Sequence, residues 1–535
     1  MSSSPRRTEA AADDALRLRR ETLVANGAEA GVVDELLAYN ANRFDGARAA
    51  GLVLPLEDEP HLEAWTAYAA EAASLGVIPA LRKRFVQLLF PVVEGISQTE
   101  AYRAATRKGS WPEAASPGTE IRDPEGIELL LHPTVAGRIP LLVVRERADF
   151  VTLVRTLSGR NEPIPVPDSM GACIVAGLNN WDRVARYRAQ FEESTGTRGD
   201  EAAWLEEFKR LVPQKALYQD RFILLSRGPY SAVPASAVRR DQADWLRLSL
   251  DIRREHECTH YFTCRVFGSM RNNLLDEIIA DFAGLMRVFG HYDGDLALRF
   301  LGLENHPRYR EGGRLESYLG DPPLSASACV VLRSLVFQAV RNIENFADGH
   351  EALQKDDATG LMVAALTAMT LEELAAANVA ERLDAVLVPA EKYRLSVPGN
   401  QLGIRNVLSQ LDAFLSRNPA FEAVRADFGV ALDEVVSNVV NYGYRGGSDR
   451  PIVVHVLVRA GCLEVEIVDE GEPFNPLERD APDVTQTLDE RPVGGLGIHI
   501  VKRLMDDVSY HREDGRNHLR FSKRLSPALT RFATP

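Results

Sequence analysis

At 535 residues the chain is too long for one ordinary hydrophobic core, and its 45% apolar and 26% charged residues are those of a folded globular protein. A net charge of -14 excludes the broad basic footprint that general nucleic-acid binding needs. Five scattered cysteines without a CxxC pair exclude a disulfide framework and fit a reducing compartment.

The basic N-terminus has no apolar run behind it, so it does not read as a secretory signal, and residues 1–12 read as a polar tail. Apolar stretches such as Leu361–Met369 fall short of a membrane span. The expectation is a cytoplasmic protein with no membrane segment. Helical spacing dominates from about 13 to 105, followed by a Pro/Gly-punctuated stretch over 109–140. Ile139–Val144 and Phe222–Ser226 read as strands. The run 170–178 fits a buried strand or a helix start, and 198–212 reads as helix. Helices are predicted over 240–267, 272–289, 324–347 and 358–386. Two prolines and a β-like run then mark a domain boundary near 388.

The first constellation with chemistry is HECTH, within 248–267. His256 and His260 stand four apart and share a helix face, so both imidazoles can reach one metal, with Glu257 beside them to activate water. The flanking Leu248, Ile252, Tyr261, Phe262 and Val266 make the helix largely buried, and buried histidines need a partner. On the next helix, Glu277 and Asp281 are again four apart. Glu277 is a natural third ligand, and Asp281 can orient a ligand histidine through its other ring nitrogen. The bland alternative is a packed helix with two ordinary histidines. The pairing over about 245–290 resembles the gluzincin metallopeptidases, whose third ligand is a Glu on a following helix with an Asp one turn later. No H-x-x-G-x-x-H extension exists. His291 and Tyr292 are candidates for transition-state stabilisation only by proximity in sequence. Cys258 and Cys264 read as core thiols.

After the boundary, Tyr393–Val397 reads as a strand and 403–417 and 424–441 as helices. Ile452–Val458 and Leu463–Val468 form a hairpin around Gly461, 496–506 is a helix, and Val508–His511 with His518–Ser522 form a last hairpin. Three segments carry chemistry. In ALDEVVSNVVNYGY, Glu434 and Asn438 share a helix face. Asn438 suits magnesium as a hard oxygen ligand, and Glu434 can accept a proton. In VDEGEPF, Asp469 ends a strand and can accept the exocyclic amine of adenine, and Gly471 permits close backbone approach. In GGLGIHIVKRLMD, the amides of Gly494, Gly495 and Gly497 at a helix N-terminus offer a place for a triphosphate.

In this order the three segments resemble the nucleotide-binding boxes of the GHKL ATPases over roughly 392–525. The phrases DEVVSNVVNYGY and GGLGIHIVKRLMDDVSY are most similar to the anti-sigma-factor serine kinases. The resemblance implies a Bergerat-type α/β sandwich, Mg-ATP, and a serine on a partner antagonist protein as phosphoacceptor. It implies Asn438 as the Mg2+ ligand, Glu434 as catalytic base, Asp469 and Gly471 at adenine, and the three glycines at the phosphates. Tyr442 departs from the histidine that relatives often carry there, which separates phosphotransfer from mere nucleotide binding.

The expected architecture is therefore multidomain. A mainly α-helical α+β zincin-like domain over 13–387 precedes a Bergerat-type domain over 388–530. Catalysis is expected from Glu434 and Glu257, and zinc at His256, His260 and Glu277 with Asp281 behind them. The expected function is an ATP-dependent serine kinase fused to a zinc metallopeptidase-like domain, acting on a sigma factor or serine-bearing antagonist, with room for a homodimer through the ATPase domain. Two alternatives stand beside it: a non-catalytic, nucleotide-dependent sequestration module, and an ATP-regulated metallopeptidase.

Overall fold

The computed structural model describes residues 5–49, 55–111, 118–270, 272–350, 359–387, 391–416, 421–459, 462–478, 496–513 and 515–524. It divides into two units: residues 1–341 with 370–372, and residues 342–369 with 373–535.

The first unit holds a four-stranded mixed sheet, β1 (Ile127–His132), β2 (Ile139–Val144), β3 (Ala172–Asn179) and β4 (Gln219–Ser226), in the order β1-β2-β4-β3. β2 runs parallel to β4, and the outer pairs are antiparallel. The continuous apolar run IPLLVV suits this central place, since β2 is buried at all six positions. Trp65, Phe85, Phe150 and Phe222 pack with the sheet into one core. Beneath it, Asp220 is buried and accepts from Trp65 Nε1, Asn180 Nδ2 and Arg183 Nη1 at 2.8–2.9 Å.

The HECTH helix spans Gln242–Phe267. Asp241 caps its N-terminus, accepting from the amides of Ala243 and Asp244, and Gly268 ends it in the left-handed conformation (φ +75°). The next helix, Leu274–Phe289, packs against it. Gly284 permits that approach: a Cβ there would lie 3.0 Å from the Ile252 carbonyl oxygen.

Two sequence expectations are corrected, at the N-terminus and in the helices that follow β2 and β3. The polar tail is helical from Pro5, within Pro5–Ala25. The helices Arg147–Leu157 and Trp181–Thr195 were not foreseen; Asn180 caps the second. One helix among the described residues, Ala326–Asp348, is long and apolar enough to cross a membrane by length and composition, and half of that window is buried. All five cysteines are free.

The second unit holds a five-stranded antiparallel sheet, β5 (Glu391–Pro398), β6 (Pro451–Arg459), β7 (Cys462–Asp469), β8 (Asp507–Glu513) and β9 (Arg516–Arg524), in the order β5-β6-β7-β9-β8. Alternation along β7 sends Leu463, Val465 and Ile467 into a core shared with Val407, Phe414, Phe428, Leu432 and Val501 of the helices Gln401–Leu415, Glu422–Asn438 and Leu496–Leu504. The hairpin turn at Gly461 lies outside the described residues.

Candidate functional site

In the second unit, the helix Glu422–Asn438 runs on into a π-type turn, Val439–Gly443, instead of continuing as α-helix to 441. The turn brings Gly443 against the loop after β7. A Cβ on Gly471 would lie 3.0 Å from Gly443 Cα and from its carbonyl oxygen, so glycine at 471 is needed for backbone to meet backbone. Asn438, Gly443, Asp469, Phe474, Ile498, Tyr510 and Asn517 line one cavity. Asp469 is 5% exposed. Its Oδ1 accepts from Gly471 N at 2.8 Å and from Asn517 Nδ2 at 2.9 Å, which leaves Oδ2 as the remaining acceptor. Burial pushes the Asp469 carboxyl up from its ordinary value, against the lowering pull of those two bonds. A carboxylate with one oxygen already committed fits the amine of adenine.

Glu434 is not among the residues lining that cavity. Its carboxylate lies against the opening turn of the helix Leu496–Leu504: a Cβ on Gly497 would stand 2.0 Å from Glu434 Oε2. The Glu434 and Gly497 boxes are therefore adjacent in space, although 63 residues apart in the numbering. Gly494 and Gly495 lie outside the described residues. Lys502 Nζ is held by the Leu477 carbonyl, and Tyr442 is 52% exposed. Asn517 was missed by sequence reasoning. Its signal was legible, because it is the polar member of the inward-facing series Asn517, Leu519, Phe521.

In the first unit, His256, His260 and Glu277 are brought together, all buried, with ligand-type atoms within 4.8 Å of one another. His256 Nε2 and His260 Nε2 are 3.1 Å apart, and the Glu277 carboxylate oxygens lie 3.5 and 3.4 Å from them. The opposite ring nitrogens face carboxylates. His256 Nδ1 is 3.0 Å from Asp281 Oδ1; His260 Nδ1 is 3.4 Å from Asp276 Oδ1, an electrostatic contact rather than an aligned hydrogen bond. With protons directed to those carboxylates, both Nε2 lone pairs face one point and repel unless a proton or cation lies between them. Nitrogens on a tetrahedral zinc stand about 3.3 Å apart, so the donor set fits such an ion.

The electrostatics agree. Burial alone would lower both histidines, yet His256 is raised by Asp281 and Glu277, and His260 well above its ordinary value by Asp276 and Glu277. Glu277 is held well below the carboxylate range by the two histidines despite its burial. The three carboxylates thus favour positive charge at the two imidazoles, as protons or as a cation that displaces them.

Glu257 lines the same cleft, which holds about 290 Å³ and is bordered also by Tyr230, Arg253, Arg314 and Tyr318. Tyr230 OH donates to Asp281 Oδ1 at 2.7 Å and accepts from Arg314 Nη1 at 2.9 Å; Arg314 also pairs with Asp281. Burial, with the nearby Glu277 carboxylate, holds the Tyr318 hydroxyl well above its ordinary value. The proximity candidates are replaced. His291 is exposed and Tyr292 is buried against Phe282, and neither is among the residues lining the cleft. Asp276, Tyr230 and Arg314 were missed, the last two because they come from loops distant in sequence. A second histidine–carboxylate group, Glu466, His511 and His518, lies on β7, β8 and β9, with Glu466 also paired to Arg520.

Comparison with known proteins divides along the same lines. Residues 398–523 match a histidine kinase-like ATPase domain. The serine/threonine-protein kinase BtrW of Bordetella bronchiseptica is 29% identical over 106 residues, 19% of this chain and 73% of that protein. The serine-protein kinase RsbW of Listeria monocytogenes is 31% identical over 100 residues (18% and 63%), and that of Bacillus pumilus 32% over 112 residues (20% and 64%). The chain thus spans somewhat less than two thirds of the length of these two RsbW relatives. A solved structure of the RsbU and RsbW domains of a Mycobacterium tuberculosis protein aligns at 18% identity and a TM-score of 0.20, covering 36% of this chain and 48% of that one. Residues 21–378 match the family described as a family of unknown function (DUF7005). Because that match spans more than half of the 535 residues, the chain belongs to the DUF7005 family, and it carries a histidine kinase-like ATPase domain behind the family's defining region.

Proposed function

We propose that the chain is a cytoplasmic serine kinase of the anti-sigma-factor type, which binds Mg-ATP in residues 388–530 and phosphorylates a serine on a partner antagonist protein. The observation that carries this reading is Asp469, held by Gly471 and Asn517 in a cavity it shares with Asn438, with Glu434 set against Gly497. When bound, Mg-ATP supplies the phosphoryl group. Asn438 offers its amide oxygen to the cation, Asp469 holds the base, and Glu434 orients and deprotonates the attacking hydroxyl. The similarity to serine kinases supports the transfer step. Glu434→Gln is expected to keep Mg-ATP affinity and lose phosphoserine formation on the antagonist, read by mass spectrometry. A wild type that binds ATP in calorimetry and transfers nothing favours nucleotide-dependent sequestration instead.

A second reading concerns 13–387 as a zincin-like domain, favoured by the two facing Nε2 atoms opposite Glu277. We infer a zinc site held by His256, His260 and Glu277. Zinc held there would acidify a water and polarise a carbonyl. Glu257 would accept the water's proton, while Asp281 with Tyr230 holds the His256 ring. His256→Ala is expected to lose zinc, and Glu257→Ala to keep it while abolishing peptide hydrolysis. Hydrolysis by the Glu257 variant at the wild-type rate removes Glu257 from the chemistry. Nucleotide-dependent hydrolysis makes the metallopeptidase the regulated activity.

A further inference from the structure

The turn that enters the metal cleft carries an unusual backbone. Ser231 and Ala232 are consecutive non-glycine residues at φ +48° and +57°, a conformation in which Cβ crowds the following carbonyl. The surrounding structure holds the turn there. Arg253, one helical turn before His256, donates to the carbonyls of Ser226, Gly228 and Pro229. Ser249 Oγ, on the same helix, accepts from Tyr230 N at 3.0 Å. At its far end Tyr230 OH is bound to Asp281, His256 and Arg314. The helix that bears the two histidines therefore also grips the strained turn at several points.

What this arrangement presents is one side chain. Ser231 is 6% exposed, and its Oγ has no hydrogen-bond partner among the described residues. It lines the cleft beside His256, Glu257 and Glu277. A buried hydroxyl without a partner and a disfavoured backbone are both costs, and such costs gather where a ligand relieves them. The cleft holds about 290 Å³, and its lining also includes Met170, Gly171, Ala172 and Tyr318.

We propose that the Ser231 hydroxyl hydrogen-bonds the main chain of a peptide segment bound in this cleft, and so sets how the substrate lies across the metal-binding residues. The proposal rests on the zinc-site reading. Its test is therefore a binding measurement on the zinc-loaded full chain with two probes. Acetohydroxamic acid carries only a metal-binding group, whereas a blocked dipeptide hydroxamate extends along the cleft. Ser231→Ala is expected to leave zinc content and acetohydroxamate affinity unchanged and to weaken the dipeptide hydroxamate roughly 5- to 10-fold. Ser231→Gly, which relieves the backbone strain, should show the same selective loss with a higher melting temperature. If both variants bind the dipeptide probe as tightly as wild type, the role of Ser231 is overturned while the zinc site stands. If the wild type takes up no zinc, the zinc reading and this proposal fall together.

Discussion

Asp469 shows how little of a candidate binding residue's chemistry lies in its own side chain. Its Oδ1 is taken by Gly471 and Asn517, and Asn517 is in turn fixed by Tyr510 and Arg512. Replacing the carboxylate by an amide keeps the shape and reverses part of the hydrogen-bond polarity toward the base. Asp469→Asn is expected to weaken Mg-ATP at least about 10-fold in calorimetry without altering the fold, since hydrogen bonds to a charged group contribute about 1.5–3 kcal/mol. A pH dependence follows. Burial raises the Asp469 carboxyl, so in the free protein it takes up a proton at higher pH than an ordinary carboxylate does. The ionised form accepts from the amine more strongly than the protonated form does. Nucleotide affinity should therefore be full near neutrality and fall on acidification, with a midpoint above the ordinary aspartate value and absent from Asp469→Asn. An affinity flat down to pH 4 would detach Asp469 from the base.

At the scale of elements, both sites depend on glycines where two backbones meet. In the first unit Gly284 sits at the crossing of the helices Gln242–Phe267 and Leu274–Phe289, one placing the two histidines and the other Glu277 and Asp281. The spacing of the donor atoms follows from that crossing. Gly284→Val should drive the helices apart and lower zinc affinity by about 10- to 100-fold, the scale seen when support behind metal ligands is disturbed. Metal analysis after dialysis reads this, and the melting temperature of the first unit serves as the control for folding. Retention of zinc at the wild-type level would mean that the ligand spacing is set elsewhere.

At the scale of the whole molecule, the two units carry separate cores, one around Trp65, Phe85 and Phe222 and the other around Phe414, Phe428 and Val465. Asp220 supports the first. Removing it would leave the Arg183 guanidinium, 7% exposed, buried without its counter-charge. Asp220→Ala is expected to cost about 3–5 kcal/mol in the unfolding of that unit. Mg-ATP should raise the unfolding temperature of the other unit, because a ligand that binds only the native form stabilises it. Differential scanning calorimetry with and without nucleotide checks both, and loss of the nucleotide effect in Asp220→Ala would count against this assignment of the two cores.

The sequence by itself determined what local periodicity and short motifs encode. The apolar run of β2, the alternation of β6 and β7 and the two helices around HECTH were legible because each is a repeat of side chains on a single element. The sharing of a helix face by His256 with His260, and by Glu434 with Asn438, was legible for the same reason. Only tertiary structure decided which residues meet across elements. Tyr230, Arg314 and Asp276 around the histidines, Asn517 on Asp469, and Glu434 against Gly497 are contacts between segments remote in sequence. The same reason explains His291 and Tyr292: nearness along the chain suggested them, while the turn after the second helix carries one into solvent and the other into the core. Spacing along a helix is a property of local covalent geometry, whereas convergence on one point depends on how separate elements cross, and that is set by their packing.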